Sequence, residues 1–248
     1  MPLLEQLPAS FGRGELRHEL PVLPLGIAEL DAVLPEAGLP RGKVIELAVA
    51  GGIALGTSVG LSACRSAERE AEAQGSDAPW CAFVDPSGTL HAPGVVGAGV
   101  RLDRLLVVRP SLEALERTAI RLVESQAFAV VVLDTVGVPG ARTNVSLGTW
   151  PRVIRRLSLA MEGSGTTVLL ITDSDAPRPL PLPVAMRLEL IRTAADRLSI
   201  EVAKDRRGRV SGPRTVAWAR RGYAPSGGVT ALSSVAPIAA PITLKRLA

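Results

Sequence analysis

Aromatic residues are nearly missing from this chain: its 248 residues include three Phe, three Trp and one Tyr. Ala, Val and Leu must therefore fill the core, and little is available to form an aromatic platform on which nucleic-acid bases could stack. Cysteine is almost as rare. Cys64 and Cys81 are too few for a disulfide framework and lack metal-ligand spacing, so no metal site is expected. No apolar run approaches the roughly eighteen residues that a spanning helix needs. The opening "MPLLEQLPASFGRG" lacks a basic stretch followed by an apolar one, so no secretory signal is expected. These absences point to a cytoplasmic protein without a membrane partner.

Lysine is scarce as well, with Lys43, Lys204 and Lys245 the only examples. The formal net charge is nevertheless +4, and it is unevenly placed. From Arg187 to Ala248 there are twelve Lys/Arg against four Asp/Glu, which leaves the preceding part net acidic. A basic C-terminal portion suits a nucleic acid or an acidic protein partner. It equally suits a solvated surface in an arginine-biased composition.

What is present is an alternation of short apolar runs and helical periods. "KVIELAV" (43–49), "WCAFVD" (80–85), "RLLVVR" (104–109), "FAVVVLD" (128–134) and "TTVLLIT" (166–172) read as parallel strands covered on both faces. Between them, Leu112, Leu115, Ala119, Leu122 and Val123 share a helical face, with Ser111 placed as N-cap. Trp150, Ile154, Leu157 and Met161 form a second stripe, with Pro151 tolerable in the first turn. Beyond Val184 the period changes to two. "AMRLELIR" and "RLSIEVAK" around "TAAD" predict an antiparallel hairpin, and "RTVAWARR" (214–221) a further strand. The expected fold is a single α/β domain with a mostly parallel central sheet and an antiparallel hairpin at its C-terminal edge. Residues 1–42 are read as a segment leading into the core and 43–223 as the core. Residues 224–248, rich in Pro, Ala and Ser, are expected to be a flexible tail.

One loop carries most of the functional signal. "GGIALGTSVG" (51–60) follows the first strand, and Gly51 and Gly56 have the spacing of G-x-x-x-x-G-K-[ST]. In such a phosphate-binding loop, backbone N–H groups and a helix N-terminus cradle the phosphates. The lysine reaches the β and γ oxygens, and the hydroxyl residue binds Mg²⁺. Ser58 supplies the hydroxyl, but Thr57 stands where the lysine belongs. Losing one charge-assisted hydrogen bond of about 1.5–3 kcal/mol lowers nucleotide affinity about tenfold to a hundredfold or more. It also removes a fixed cation from phosphoryl transfer.

The flanks of the loop resemble those of the RecA family of recombinases. "LPLGIAELDAVLPEAGLPRGKVIEL" is similar to the segment that precedes the family's loop, through Gly26, Leu30, Asp31, Leu34, Gly38, Leu39, Pro40, Gly42, Val44, Ile45 and Glu46. "FGRGEL" (11–16), "CAFVDPSGTLHAPGVVGAGVRLDRLLVVRP", "VVVLDTVGVP" ending its strand at Asp134, and "EVAKDRRGR" (201–209) resemble further blocks in the same order. The resemblance covers residues 10 to 223 and implies a RecA-like core without RecA's C-terminal domain.

Departures from the family pattern accompany these matches. Ser87 stands where the water-activating glutamate of RecA-like ATPases is found, and a hydroxyl is no general base at neutral pH without a base of its own. Asp173 stands near the γ-phosphate-sensing position, where a carboxylate repels phosphate. Lys204 and Arg206 match a basic pair that reaches a neighbouring subunit's nucleotide, although a solvated hairpin accounts for them equally. A RecA-like chain of this kind resembles the ImuA family, some members of which are labelled SulA-like.

The resemblance implies a non-enzymatic accessory protein of damage-induced translesion mutagenesis, with no catalytic residues and no ATP-Mg requirement. The implied partners are RecA, ImuB and, through ImuB, an error-prone C-family DNA polymerase. The loop residues Gly51, Gly56, Thr57 and Ser58, with Asp134, are then a vestigial nucleotide site. Arg142, Arg152, Arg155, Arg156, Lys204, Arg206 and Arg207 are candidates for contact with DNA or a partner, with DNA binding expected to be weak. Two alternatives stand beside this one. The first is a RecA-family ATPase in which Arg41 or Lys43 swings into the loop. The second is a SulA-like inhibitor of cell division.

Overall fold

A computed structural model describes residues 22–50, 54–143, 145–175 and 181–218. Gly51, the "FGRGEL" block and the 224–248 segment lie outside the described residues. The elements in chain order are a short helix α1 (Ala28–Asp31), β1 (Val44–Val49), α2 (Leu55–Ala73), β2 (Trp80–Val84), α3 (Ala92–Gly97), β3 (Leu105–Val108), α4 (Leu112–Glu124) and β4 (Phe128–Asp134). A small hairpin of β5 (Gly137–Val138) and β6 (Ala141–Arg142) follows. The chain then forms α5 (Trp150–Ala160), β7 (Thr167–Asp173), β8 (Met186–Ala194), β9 (Arg197–Asp205) and β10 (Ser211–Ala217).

Eight strands form one sheet in the order β10-β9-β8-β1-β7-β4-β2-β3. The six from β8 to β3 are parallel, whereas β9 pairs antiparallel with β8 and β10 antiparallel with β9. Every residue of β1 is buried, as expected for a central parallel strand covered on both faces. The fold is thus mixed α/β, mostly parallel, with the antiparallel hairpin at one edge.

Two apolar layers cover the sheet. On one face Leu47, Phe83, Val132, Leu169, Ile171 and Leu188 pack against α2 and against Leu23, Leu25, Leu30 and Leu39 of the leading segment. On the other, Val84, Val131, Leu133 and Leu170 pack against Leu115 and Ala119 of α4 and Trp150, Ile154 and Leu157 of α5. Cys64 and Cys81 are free, buried thiols in the first layer, and contact with Cys81 together with burial pushes the Cys64 thiol upward.

Two buried glutamates are each held by hydrogen-bond and arginine partners. Glu46 on β1 is almost fully buried; it accepts the Thr172 hydroxyl at 2.8 Å and lies 3.5 Å from the Arg187 guanidinium. Glu68 of α2 is fully buried and accepts the Arg101 backbone N–H at 3.1 Å and Arg65 at 3.2 Å. It thereby fastens α2 to the turn that enters β3.

Two expectations need correction. Ser111 occupies the N-cap position of α4, but its hydroxyl makes no capping hydrogen bond. The run "RLLVVR" reads as a strand covered on both faces, yet β3 is the edge strand, with Leu106 39% and Val107 38% exposed. A four-residue apolar run looks the same in sequence whether or not a neighbour covers it.

Trp150 is 1% exposed and is the largest fully buried side chain, at the start of α5. Trp150→Ala is expected to lower stability by about 3–5 kcal/mol, read as a fall in the urea midpoint.

Candidate functional site

The C-terminal ends of the parallel strands, where ligands of open α/β sheets bind, gather the loop after β1 and the ends of β2, β4 and β7. Ala50 N–H donates to Leu190 and Ser174 N–H donates to Val49, so β1 enters the loop clamped between β8 and β7. The loop leads into α2, whose N-cap Ala54 provides no side-chain cap. Ser58, exposed, turns its hydroxyl back on the Ala54 carbonyl at 2.9 Å. Thr57 is half-buried one residue earlier.

Gly56 and Gly60 sit inside α2, where the helix touches the sheet. A Cβ on Gly56 would lie 2.6 Å from Cγ2 of Ile171, and one on Gly60 2.9 Å from Cγ1 of Val132. Both glycines are required by close helix–sheet packing, whatever the loop binds.

Asp134 ends β4, 3% exposed. Its Oδ1 accepts the backbone N–H groups of Val136 and Gly137, each at 2.9 Å. Burial raises its pKa above the ordinary carboxylate value, against the lowering effect of those two N–H groups, and the nearby Asp85 charge raises it further. Gly137, at φ +74°, continues this turn; a Cβ there would meet the Ala141 carbonyl at 2.4 Å. The β5–β6 hairpin is rooted further by Thr143, whose hydroxyl donates to Thr135 at 2.6 Å.

Asp85 follows β2, fully buried. It accepts the Ser87 hydroxyl at 2.8 Å, the Thr89 and Leu90 N–H groups at 3.1 and 2.9 Å, and Arg109 at 3.4 Å. Ser87 also shares a 2.7 Å hydrogen bond with Thr89. This organising role was missed in the sequence, although a carboxylate closing an apolar strand just before "PSGT" is a signal for such a turn. At the end of β7, Asp173 accepts the Asp175 N–H at 2.9 Å and forms an ion pair with Arg142 of the hairpin.

The remaining candidates are scattered. Arg41 pairs with Glu70, four helical turns along α2 from the loop. Lys43 precedes β1, roughly 20 Å from the loop at the far end of the strand. Lys204 donates to the Leu182 carbonyl at 2.9 Å. Because Asp205 pairs with Met186 at the start of β8, Lys204, Arg206 and Arg207 also lie at the end of the sheet opposite the loop. Arg207 binds Glu36 at 2.6 Å, whereas Arg206 is exposed. Arg152, Arg155 and Arg156 are all exposed on α5, Arg156 beside Glu124 at 2.9 Å. Among the described residues no group of three or more His, Cys, Asp or Glu side chains could hold a metal ion, and no helix is long and apolar enough to cross a membrane.

No protein-family model matches the chain. Over 189 residues it is 33% identical to Protein RecA of Mycobacteroides abscessus, Nocardia farcinica and Mycolicibacterium smegmatis, in alignments that cover 68% of this chain. They cover 52%, 52% and 51% of those proteins respectively, so the chain spans about half the length of the curated relatives it matches.

Asp134 gives a pH-dependent prediction. Its pKa is raised by folding, so its charged form costs stability; the cost is absent below the unfolded carboxylate value near pH 4 and grows as pH rises through the folded value. Asp134→Asn keeps an acceptor for both N–H groups. It is expected to be at least as stable as the parent at pH 7, with the advantage gone near pH 3. Asp134→Ala leaves two donors unsatisfied and is expected to lose about 1–3 kcal/mol at both pH values. Urea titrations at the two pH values read both.

Proposed function

The chain is a homologue of RecA with a RecA-like core, and from that premise we propose that it is a non-catalytic member of the ImuA type. In this reading it serves damage-induced translesion mutagenesis in the cytoplasm by docking RecA, ImuB or DNA, and it does not turn over ATP. One observation carries the reading: the groups at the strand ends are engaged with one another. Ser87 is hydrogen-bonded into the Asp85 network. Asp173 is paired with Arg142, and Ser58 is turned onto its own helix. Thr57 supplies no charge. Arg109 and Arg142, the cations described at this end, each lie against a carboxylate. Such a set does not fit the phosphates and Mg²⁺ of ATP, which call for fixed cations and free hydroxyls.

The rearranged-ATPase alternative required Arg41 or Lys43 to enter the loop. With Arg41 held on Glu70 and Lys43 at the far end of β1, neither is placed to do so. Nothing in the fold favours the division-inhibitor alternative.

Isothermal titration with ATP-Mg tests the reading. No saturable heat and no phosphate release are expected up to millimolar nucleotide, while micromolar binding with turnover would overturn it. The α5 arginines give a second test. Single-stranded DNA is expected to shift weakly at low salt and not at about 300 mM, because such binding comes from a few phosphate contacts. Arg152→Ala with Arg155→Ala should weaken the shift severalfold; shifts unchanged at high salt contradict the expectation.

A further inference from the structure

Cations gather at the end of the sheet opposite the loop. Ala185 N–H donates to the Val44 carbonyl and Arg206 N–H to the Ala185 carbonyl, so the entries to β1 and β8 and the exit of β9 lie side by side. Neighbouring strands are about 5 Å apart, which sets the Val44 and Arg206 backbones roughly 10 Å apart. The side chains of Lys43, next to Val44, and of Arg206 are both exposed. Among the described residues neither has a carboxylate partner. The turn after β9 adds Arg207 and Arg209. Gly208 N–H closes this turn on the Asp205 carbonyl at 2.9 Å, and Arg209 Nε binds the Asp205 carboxylate at 2.8 Å.

Into this rim the leading segment inserts one carboxylate. Glu36 is paired with Arg207 at 2.6 Å and also with Arg209. It reaches them from a strained turn. Glu36 and Ala37 have φ of +60° and +55°, a left-handed conformation that residues other than glycine adopt at a cost. All three side chains of the contact are more than a third exposed, and ion pairs of that kind contribute little to stability. One carboxylate between two guanidinium groups also leaves the rim positive. With Lys43 and Arg206 included, four cations stand against the carboxylates of Glu36 and Asp205.

We propose that this rim docks an acidic segment of another protein, whose carboxylates displace Glu36 from Arg207 and Arg209. The internal occupant defines the chemistry: the arginine pair is set for a carboxylate, and Glu36 holds the place as a competitor on a strained tether. Val210, next in the chain to Arg209 and 62% exposed, offers an apolar contact that a peptide side chain can cover. A nucleic acid fits less well, because the rim residues include no aromatic ring on which a base could stack. The rim gives the accessory reading a partner chemistry and rests on that reading for its biological sense. ATP turnover would sink the reading and leave the rim intact, whereas failure to bind acidic peptides would do the reverse.

The test uses a labelled pentapeptide, acetyl-Glu-Glu-Leu-Glu-Glu-amide, and fluorescence anisotropy on the full chain. Saturable binding is expected at about 50 mM salt, weakening as salt rises to about 300 mM. Glu36→Gln removes the competing charge and should tighten binding about tenfold. Glu36→Gly, which suits the positive φ, should tighten it likewise and guards against an effect on folding. Arg207→Ala with Arg209→Ala should weaken binding about tenfold or more. Should that double variant fail to fold, Lys43→Ala with Arg206→Ala, both outside the Glu36 contact, should weaken it severalfold. No binding, no tightening by either Glu36 variant, or equal binding by a peptide with Lys in place of Glu overturns the proposal. So does displacement of the peptide by an equal concentration of single-stranded DNA of matched charge, because the rim then serves a nucleic acid.

Discussion

The contact of α2 with the middle of the sheet sets the geometry of the strand-end region. Gly56 against Ile171 and Gly60 against Val132 bring the helix backbone to where any side chain would collide. One glycine fixes the helix on β7, the other one turn later on β4. The start of α2 is therefore held close to these two strands. Glycine at position 56 satisfies a phosphate-loop pattern in the sequence, but in the fold it answers to packing.

Around that fixed point the carboxylates at the strand ends serve the fold. Asp134 caps the turn into the hairpin, Asp85 gathers the 85–90 loop and Arg109, and Asp173 holds Arg142. Each neutralising partner is a backbone donor or an arginine already within the molecule. A phosphate arriving here would compete with Asp85 and Asp173 for the same guanidinium groups. The half-exposed Arg142–Asp173 pair contributes little stability by itself. Its effect is to link the hairpin to the end of β7.

The buried parallel strands were legible in sequence because each is an apolar run bounded by turn residues. The helical stripes on α4 and α5 were legible from apolar residues spaced to share one face, although Leu112 at the start of α4 is 48% exposed and lies off it. Three features were not. The pairing of Arg142 with Asp173 joins residues 31 apart, and no local pattern records it. The position of Lys204 depends on the register of β9 against β8, which the period-two alternation leaves open. β3 reads as covered on both faces because Leu-Leu-Val-Val has no marker for an edge. Strand order across the sheet is set by crossovers through α3 and α4, and it decides which apolar run lies outermost.

The basic C-terminal portion shows how far a charge count can carry. Arg187 is held between Glu46 and Glu189, Arg207 and Arg209 both bind Glu36, and Lys204 is spent on a backbone carbonyl. Much of the surplus read from the sequence is consumed in fastening the β8–β9 hairpin to the leading segment and the sheet. The exposed arginines Arg152 and Arg155 instead stand on α5, outside the segment that the count singled out. At the β3 edge the described surface is apolar, with Arg109 at one end. Attraction to a polyanion follows the number of unengaged cations in one place, and here they are few.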